Sequence, residues 1–218
     1  MARKPDPEAR ERMLRTATRL FAQHGVHAVG LQQIIDDCHC GKNLLYREFG
    51  SKDELVMAFL ERCARSWQEA LDRAARAADG DPAGQLLALV DALAEEAADP
   101  AFRGCALRNA FAEFPDEDHP AHQFIVEHYA ARQADLRAIA RRADVTDPDE
   151  LADRVELILD GLNTNGAVLG TRGAAGVARA FAEDVIRAAR VPAGSGRQDS
   201  FPRLPQRPRS ASGRPPGS

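Results

Sequence analysis

The sequence predicts an all-α fold, and three features of it do so. Apolar residues recur at intervals of three and four, alanine and leucine recur while only 6% of residues are aromatic, and Gly and Pro cut the chain into helix-length segments. Isolated runs of Val, Ile, Thr and Tyr that would mark strands are missing. With 218 residues, 44% of them hydrophobic, the chain is long enough to bury a sizeable core in one domain or two.

About nine helices are expected. The first runs from Pro7 to about His24 on Met13, Leu14, Ala17, Leu20 and Phe21, and stops at Gly25. A short second helix carries Leu31, Ile34 and Ile35 to about Cys38, and a third runs from about Lys42 to Phe49. Ser51-Lys52-Asp53-Glu54 reads as a capping box, in which the Ser51 hydroxyl accepts from the third amide and Glu54 reaches back to the Ser51 amide. The long fourth helix that follows turns Leu55, Phe59, Leu60, Cys63 and Trp67 inward and breaks at Asp79-Gly80-Asp81-Pro82. Leu86, Leu87, Leu89, Val90 and Leu93 mark a fifth helix ending near Asp99-Pro100, and a short segment through Phe111 leads to an acidic loop, Glu113 to Pro120. Phe124, Ile125, Tyr129, Leu136 and Ile139 define a long helix, and Asp147-Pro148 opens another with Leu151, Val155, Ile158, Leu159 and Leu162. The last spans Gly173 to about Arg190. Beyond Val191 the chain is Arg, Pro, Ser and Gly with almost nothing to bury, so 191–218 is expected to be a disordered tail.

Charge is divided unevenly along this plan. Residues 1–52 hold nine Lys/Arg against six Asp/Glu, 53–190 hold fifteen against twenty-six, and 191–218 hold five against one. The overall net charge of -4 therefore conceals a basic head on an acidic body, and phosphate binding needs local rather than global positive potential. No apolar run reaches signal-peptide or membrane-spanning length, and the four cysteines lack secreted-disulfide spacing. A cytoplasmic protein without a membrane partner is expected.

Two short helices joined by a tight turn and packed on a preceding helix form the scaffold that lays a recognition helix in the major groove of DNA. Here that unit is embedded in a longer pattern, LFAQHG followed by LQQIIDDCHCGKNLLYREFGSKDEL. Leu20-Phe21 before Gly25, Ile34, and above all Leu45-Tyr46-x-x-Phe49-x-Ser51-Lys52-x-x-Leu55 resemble the TetR family of regulators over roughly the first quarter of the chain. Leu45 and Phe49, four apart, share the packed face, which leaves Lys42, Asn43, Tyr46 and Arg47 free. The resemblance implies that Tyr46 and Lys52 hold phosphates and that Lys42, Asn43 and Arg47 meet base edges, with Gln32 and Gln33 as flanking contacts. Three positions depart from the family pattern: His39 replaces the turn glycine, Cys40 an aliphatic residue, and Gly41 the Ser or Thr that caps the recognition helix. His tolerates positive φ, and Gly at an N-cap costs only a few tenths of a kcal/mol.

The resemblance also implies a body, 53–190, that binds an effector and forms a homodimer through its last two helices, tied to a head, 1–52, by the linking helix 51–78. Phe59, Cys63, Trp67, Phe102, Cys105, Asn109, Phe111, Phe124, His128, Tyr129 and Asn163 combine apolar bulk with polar tips, as ligand cavities do, and are the candidate pocket residues. Gly161, Asn163, Asn165, Gly166, Ala167 and Gly170 give one helix a small-residue face suited either to the dimer interface or to a kink within one subunit. Cys38-His39-Cys40 could sense metal or thiol chemistry or simply pack the turn, and His119, His122 and His128 beside the acidic loop could bind a cation or belong to a polar loop and helix. No cofactor and no catalytic motif is indicated. The function expected is a ligand-responsive repressor that binds a palindromic double-stranded operator as a dimer and is released by a small apolar or aromatic effector. The alternative is a ligand-binding or protein-interaction member of the same fold that has lost sequence-specific DNA binding.

Overall fold

Helix boundaries fall where the backbone can no longer continue. The computed structural model describes residues 8–173 and 175–190, arranged as α1 (Ala9–His24), α2 (Leu31–Cys38), α3 (Lys42–Phe49), α4 (Lys52–Ala77), α5 (Pro82–Ala97), α6 (Ala106–Glu113), α7 (Pro120–Ala140), α8 (Pro148–Leu169) and α9 (Ala175–Ala189). A 3-10 turn, Gly170–Arg172, precedes α9, and no strand occurs among the described residues. The expected start at Pro7 and the tail from 191 lie outside them.

The turns of the head are set by single residues. α1 ends at Gly25, whose φ of 87° suits glycine and whose amide still reaches Phe21 O at 2.9 Å. α2 ends at His39 in the left-handed region (φ 53°, ψ 39°), and the next amide, Cys40, closes back on Ile35 O at 3.1 Å. His39 thus makes the turn that its sequence position demands without a glycine. Gly41 stands extended before α3 and offers no side-chain cap. At the start of α4 Ser51 Oγ accepts from the Glu54 amide at 3.1 Å, but the return half of the expected box does not form. The Ser51 amide donates instead to Phe49 O at 2.6 Å, because the Gly50 turn folds it back onto α3.

Two apolar clusters organise the packing. The first joins α1, α2, α3 and the first three turns of α4, through Leu20, Phe21, Ile34, Leu45, Phe49, Leu55 and Phe59, and continues into Leu107 and Ala110 of α6 and Ile125 of α7. The second joins the far end of α4 to α5, α7, α8 and α9, through Leu86, Val90, Leu136, Leu151, Val155, Leu159 and Ala182. Helix α4 belongs to both.

Part of the small-residue face on α8 faces inward. A Cβ on Gly166 would lie 2.6 Å from Ala97 Cβ and 3.2 Å from Phe102, and one on Gly104 would lie 2.7 Å from Asn163 O. These positions let α5 and the loop before α6 approach α8 within one subunit, while Gly161 and Asn165 line an outward groove.

The end of α6 also grips the head. Glu113 accepts from the Val26 amide (Oε1, 2.8 Å) and the His27 amide (Oε2, 2.7 Å), so one carboxylate satisfies two donors in the turn between α1 and α2. His27 Nδ1 lies 3.3 Å from the same group. Replacing Glu113→Ala leaves those amides to water or to nothing, and a loss of about 1–2 kcal/mol in urea unfolding is expected. Amide exchange at Val26 and His27 should accelerate by more than at the cap of α4.

Candidate functional site

Helix α3 sorts its residues by face. Leu45 and Phe49 are sealed in the first cluster, and Lys42, Asn43, Tyr46 and Arg47 stand in solvent, with Tyr46 45% exposed despite its size. Gln32 and Gln33 are exposed on α2, and Lys52 is half-buried on the first turn of α4, where backbone amides also attract anions. The face is partly tied within itself: Arg47 pairs with Glu48 at 2.7 Å, Gln32 Nε2 donates to Asp36 at 2.8 Å, and Lys42 Nζ lies 6.0 Å from the Tyr46 ring centroid. Exposed pairs of this kind contribute little and are readily exchanged for phosphates.

In the body a cavity of about 270 Å³ opens between α4, α5, α6, α7 and α8. Six of the candidate pocket residues line it: Cys63, Trp67, Phe102, Cys105, His128 and Asn163. The other five lie elsewhere. Phe59 is sealed in the first cluster, stacked edge-on to Phe21 with centroids 5.3 Å apart, and Phe124 packs against the same cluster. Asn109 is exposed and donates to Arg103 O at 2.9 Å. Phe111 and Tyr129 line a separate surface cleft with Arg108, Ile125, Val126 and Asp160, although the Tyr129 hydroxyl reaches the Cys105 sulfur at 3.5 Å.

Sequence reasoning missed Leu89, Leu93, Leu107, Leu159 and, above all, Arg132 in the cavity wall. A signal for Arg132 was present. It interrupts the buried stripe of α7 formed by Ile125, Leu136 and Ile139, at the spacing where another apolar residue belongs. Its side chain is 7% exposed, with the guanidinium carbon 4.8 Å from the Trp67 ring centroid and 5.7 Å from that of Tyr129. Trp67 is fixed in turn by its indole N–H, which donates to Asp135 at 2.9 Å.

The cysteines and histidines mostly serve packing, caps and turns. Burial, helped by hydrogen bonding to Cys40, pushes the Cys38 thiol up to about 12, while His39 points outward. Burial likewise raises Cys63 to about 12, so both stay protonated and poorly nucleophilic at neutral pH. His119 Nδ1 caps the Ala121 amide at 3.1 Å, His122 Nδ1 bonds Phe114 O at 2.8 Å, and His128 faces the cavity. Among the described residues no group of three His, Cys, Asp or Glu could hold a metal ion.

On the opposite side of α8, an apolar groove runs between α8 and α9. Leu157 (71% exposed), Val177 and Phe181 (58%) leave it largely uncovered.

A helix-turn-helix head with an exposed basic face, on a helical body, is the architecture of a DNA-binding regulator. The family model for bacterial regulatory proteins of the tetR family matches residues 13–59. A putative TetR transcriptional regulator from Streptomyces avermitilis is 30% identical, covering 83% of this chain and 97% of that one, with a TM-score of 0.71. A TetR-family regulator from Streptomyces coelicolor is 28% identical over 84% and 97%, with a TM-score of 0.79. The HTH-type transcriptional regulator YjdC of Escherichia coli is 26% identical over 186 residues, 83% of this chain and 95% of its own. The chain belongs to the TetR family: it is a transcriptional regulator with a DNA-binding helix-turn-helix, and not an enzyme.

His128 offers a test of the cavity's polarity. Burial, reinforced by the Arg132 charge, holds its pKa below the ordinary value of 6.5. The unfolded chain then takes up that proton first, so this group's contribution to stability is full above about 6.5 and falls away as pH drops through it. An NMR titration should place the His128 midpoint below 6.5, and His128→Asn should flatten the acid limb of the stability profile.

Proposed function

We propose that this protein is a cytoplasmic repressor that binds a pseudo-palindromic operator as a homodimer and is released when a small effector fills the body cavity. The observation that carries this reading is α4. Its first turn holds Lys52 beside the recognition face, and about three and four turns later the same helix presents Cys63 and Trp67 to the cavity. A tilt of one end moves the other. Steric occlusion of a promoter by a dimer is the simplest outcome of such binding. Among relatives matched over a shorter stretch, FasR of Mycolicibacterium smegmatis is named an activator, with 40% identity over 60 residues. Transcription from the operator with and without this protein decides the direction.

In this reading 1–52 is the DNA-binding head, continued by the linking helix, and 53–190 is the effector-binding and dimerisation body. Tyr46 and Lys52 hold phosphates, and Lys42, Asn43 and Arg47 read bases, flanked by Gln32 and Gln33. The dimer forms by pairing the α8–α9 groove with its copy, since Leu157, Val177 and Phe181 expose an apolar face that a two-fold partner would cover. Two recognition helices then sit about 34–36 Å apart or somewhat further.

Selection of bound fragments from a random double-stranded library, repeated at several salt concentrations, tests the reading. Enrichment of a palindrome supports it, and failure to enrich any sequence favours a member of the fold that no longer reads DNA. Tyr46→Ala and Lys52→Ala should weaken binding to all sequences and lower the salt slope, whereas Asn43→Ala and Arg47→Ala should change the preferred bases. Phe181→Glu or Leu157→Glu should give a monomer in sedimentation and lose operator binding while the helical signal persists. A coupling of ~1–3 kcal/mol between effector and operator would change each affinity about 5–150-fold, and reciprocally. Equal effector affinity with and without saturating operator would sink the mechanism.

A further inference from the structure

Arg132 is a buried cation with an incomplete set of partners. The residue is 6% exposed, and its Nε forms an ion pair with Glu156 Oε2 of α8 at 3.2 Å, sealed from solvent but off the line of a good hydrogen bond. Its terminal nitrogens are not among the sealed, unpaired atoms, and Arg132 lines the cavity. Trp67 and Tyr129 hold the guanidinium by their ring faces alone. Burying a charge this way is costly unless a further partner arrives.

The remaining wall narrows the partner's chemistry. Glu156 stands behind Arg132 and does not line the cavity. Glu96 does, but from an exposed position, so Arg132 supplies the one formal charge borne by a buried residue of this wall among those described. Burial biases His128 toward its neutral form. Leu89, Leu93, Leu107 and Leu159, with Trp67, provide an apolar bed for the rest of a ligand. A cationic ligand would meet like charge, a purely apolar one would leave the guanidinium donors unpaired, and a neutral acceptor would pair with them without neutralising the charge.

We propose that the effector carries a carboxylate on a small aromatic or branched apolar body, with the carboxylate received by the terminal nitrogens of Arg132. The planar fork of Arg matches a carboxylate with two parallel hydrogen bonds. This rests on reading the cavity as the effector site and narrows that reading from an apolar molecule to an amphipathic acid.

Trp67, the chain's single tryptophan, reports the test directly because it lines the cavity and stacks on Arg132. Its emission in the full-length protein is followed on titration with phenylacetate and cyclohexanecarboxylate, and with the matching neutral probes phenylacetamide and cyclohexanecarboxamide. The carboxylates should bind saturably and at least about tenfold more tightly than their amides. That preference should vanish in Arg132→Met, persist in part in Arg132→Lys, and grow in Glu156→Gln, which removes the competing carboxylate. Should Arg132→Met fail to fold, the other two variants decide the matter. Amides that bind as well as the acids, or a preference that survives Arg132→Met, overturn the proposal and leave the cavity reading intact. Saturable binding by none of the four probes overturns both.

Discussion

The shared burial of α4 in two separate cores constrains everything else in this molecule. Leu55, Val56, Phe59 and Leu60 belong to the cluster that holds the recognition helix, and Ala74, flanked by Ala70 and Leu71, belongs to the cluster of the body. A helix of 26 residues is about 39 Å long, so one continuous hydrogen-bonded rod crosses from one core to the other. Between the two stretches it contributes Cys63, Ser66 and Trp67 to the cavity wall. Neither core can shift without carrying the rod, and the rod cannot shift without disturbing both.

Helix α6 provides a second, shorter link. Its Leu107 and Ala110 enter the head's cluster while Ala106 and Leu107 touch the cavity, and Glu113 at its end holds the turn after α1. The head is therefore tied to the body by apolar packing that tolerates small sliding and by a carboxylate that demands geometry. The cavity wall and α3 are thus connected by two routes that converge on the same apolar cluster.

Buried polar side chains are few among the described residues: Arg132 of α7 and Asn163 of α8, and Gln85 of α5, which accepts from Arg142. Burial raises the Glu156 pKa against the pull of Arg132, and one Asp160 oxygen is sealed without a hydrogen bond. Elsewhere the ion pairs are mainly superficial, such as Arg141 with Asp149 and Arg187 with Asp184. Packed apolar side chains of similar volume would hold α7 to α8 at least as well as the buried pair of Arg132 and Glu156 does.

The order and extent of the helices were written in the sequence, because periodic apolar residues and Gly, Pro, Ser and Asp at their ends act locally. Leu31–Cys38 and Lys42–Phe49 stand where the spacing placed them, and even the unusual His39 takes the left-handed turn its position required. The sorting of α3 into a sealed face and an exposed one was equally legible, since residues four apart must share a side. What the sequence left open was which apolar residues pack and which line a void: Phe59 and Trp67 lie two turns apart on one stripe, yet the first is core and the second is cavity wall. That distinction depends on how far α5, α7 and α8 stand from α4, which no local pattern encodes. The same holds for Glu113, whose partners lie 86 and 87 residues away, and for the division of α8 into an inner face at Gly166 and an outer one at Gly161. Local rules determined the elements, and only long-range packing decided which of their faces would meet, because close packing is a property of the whole set of helices and not of any one.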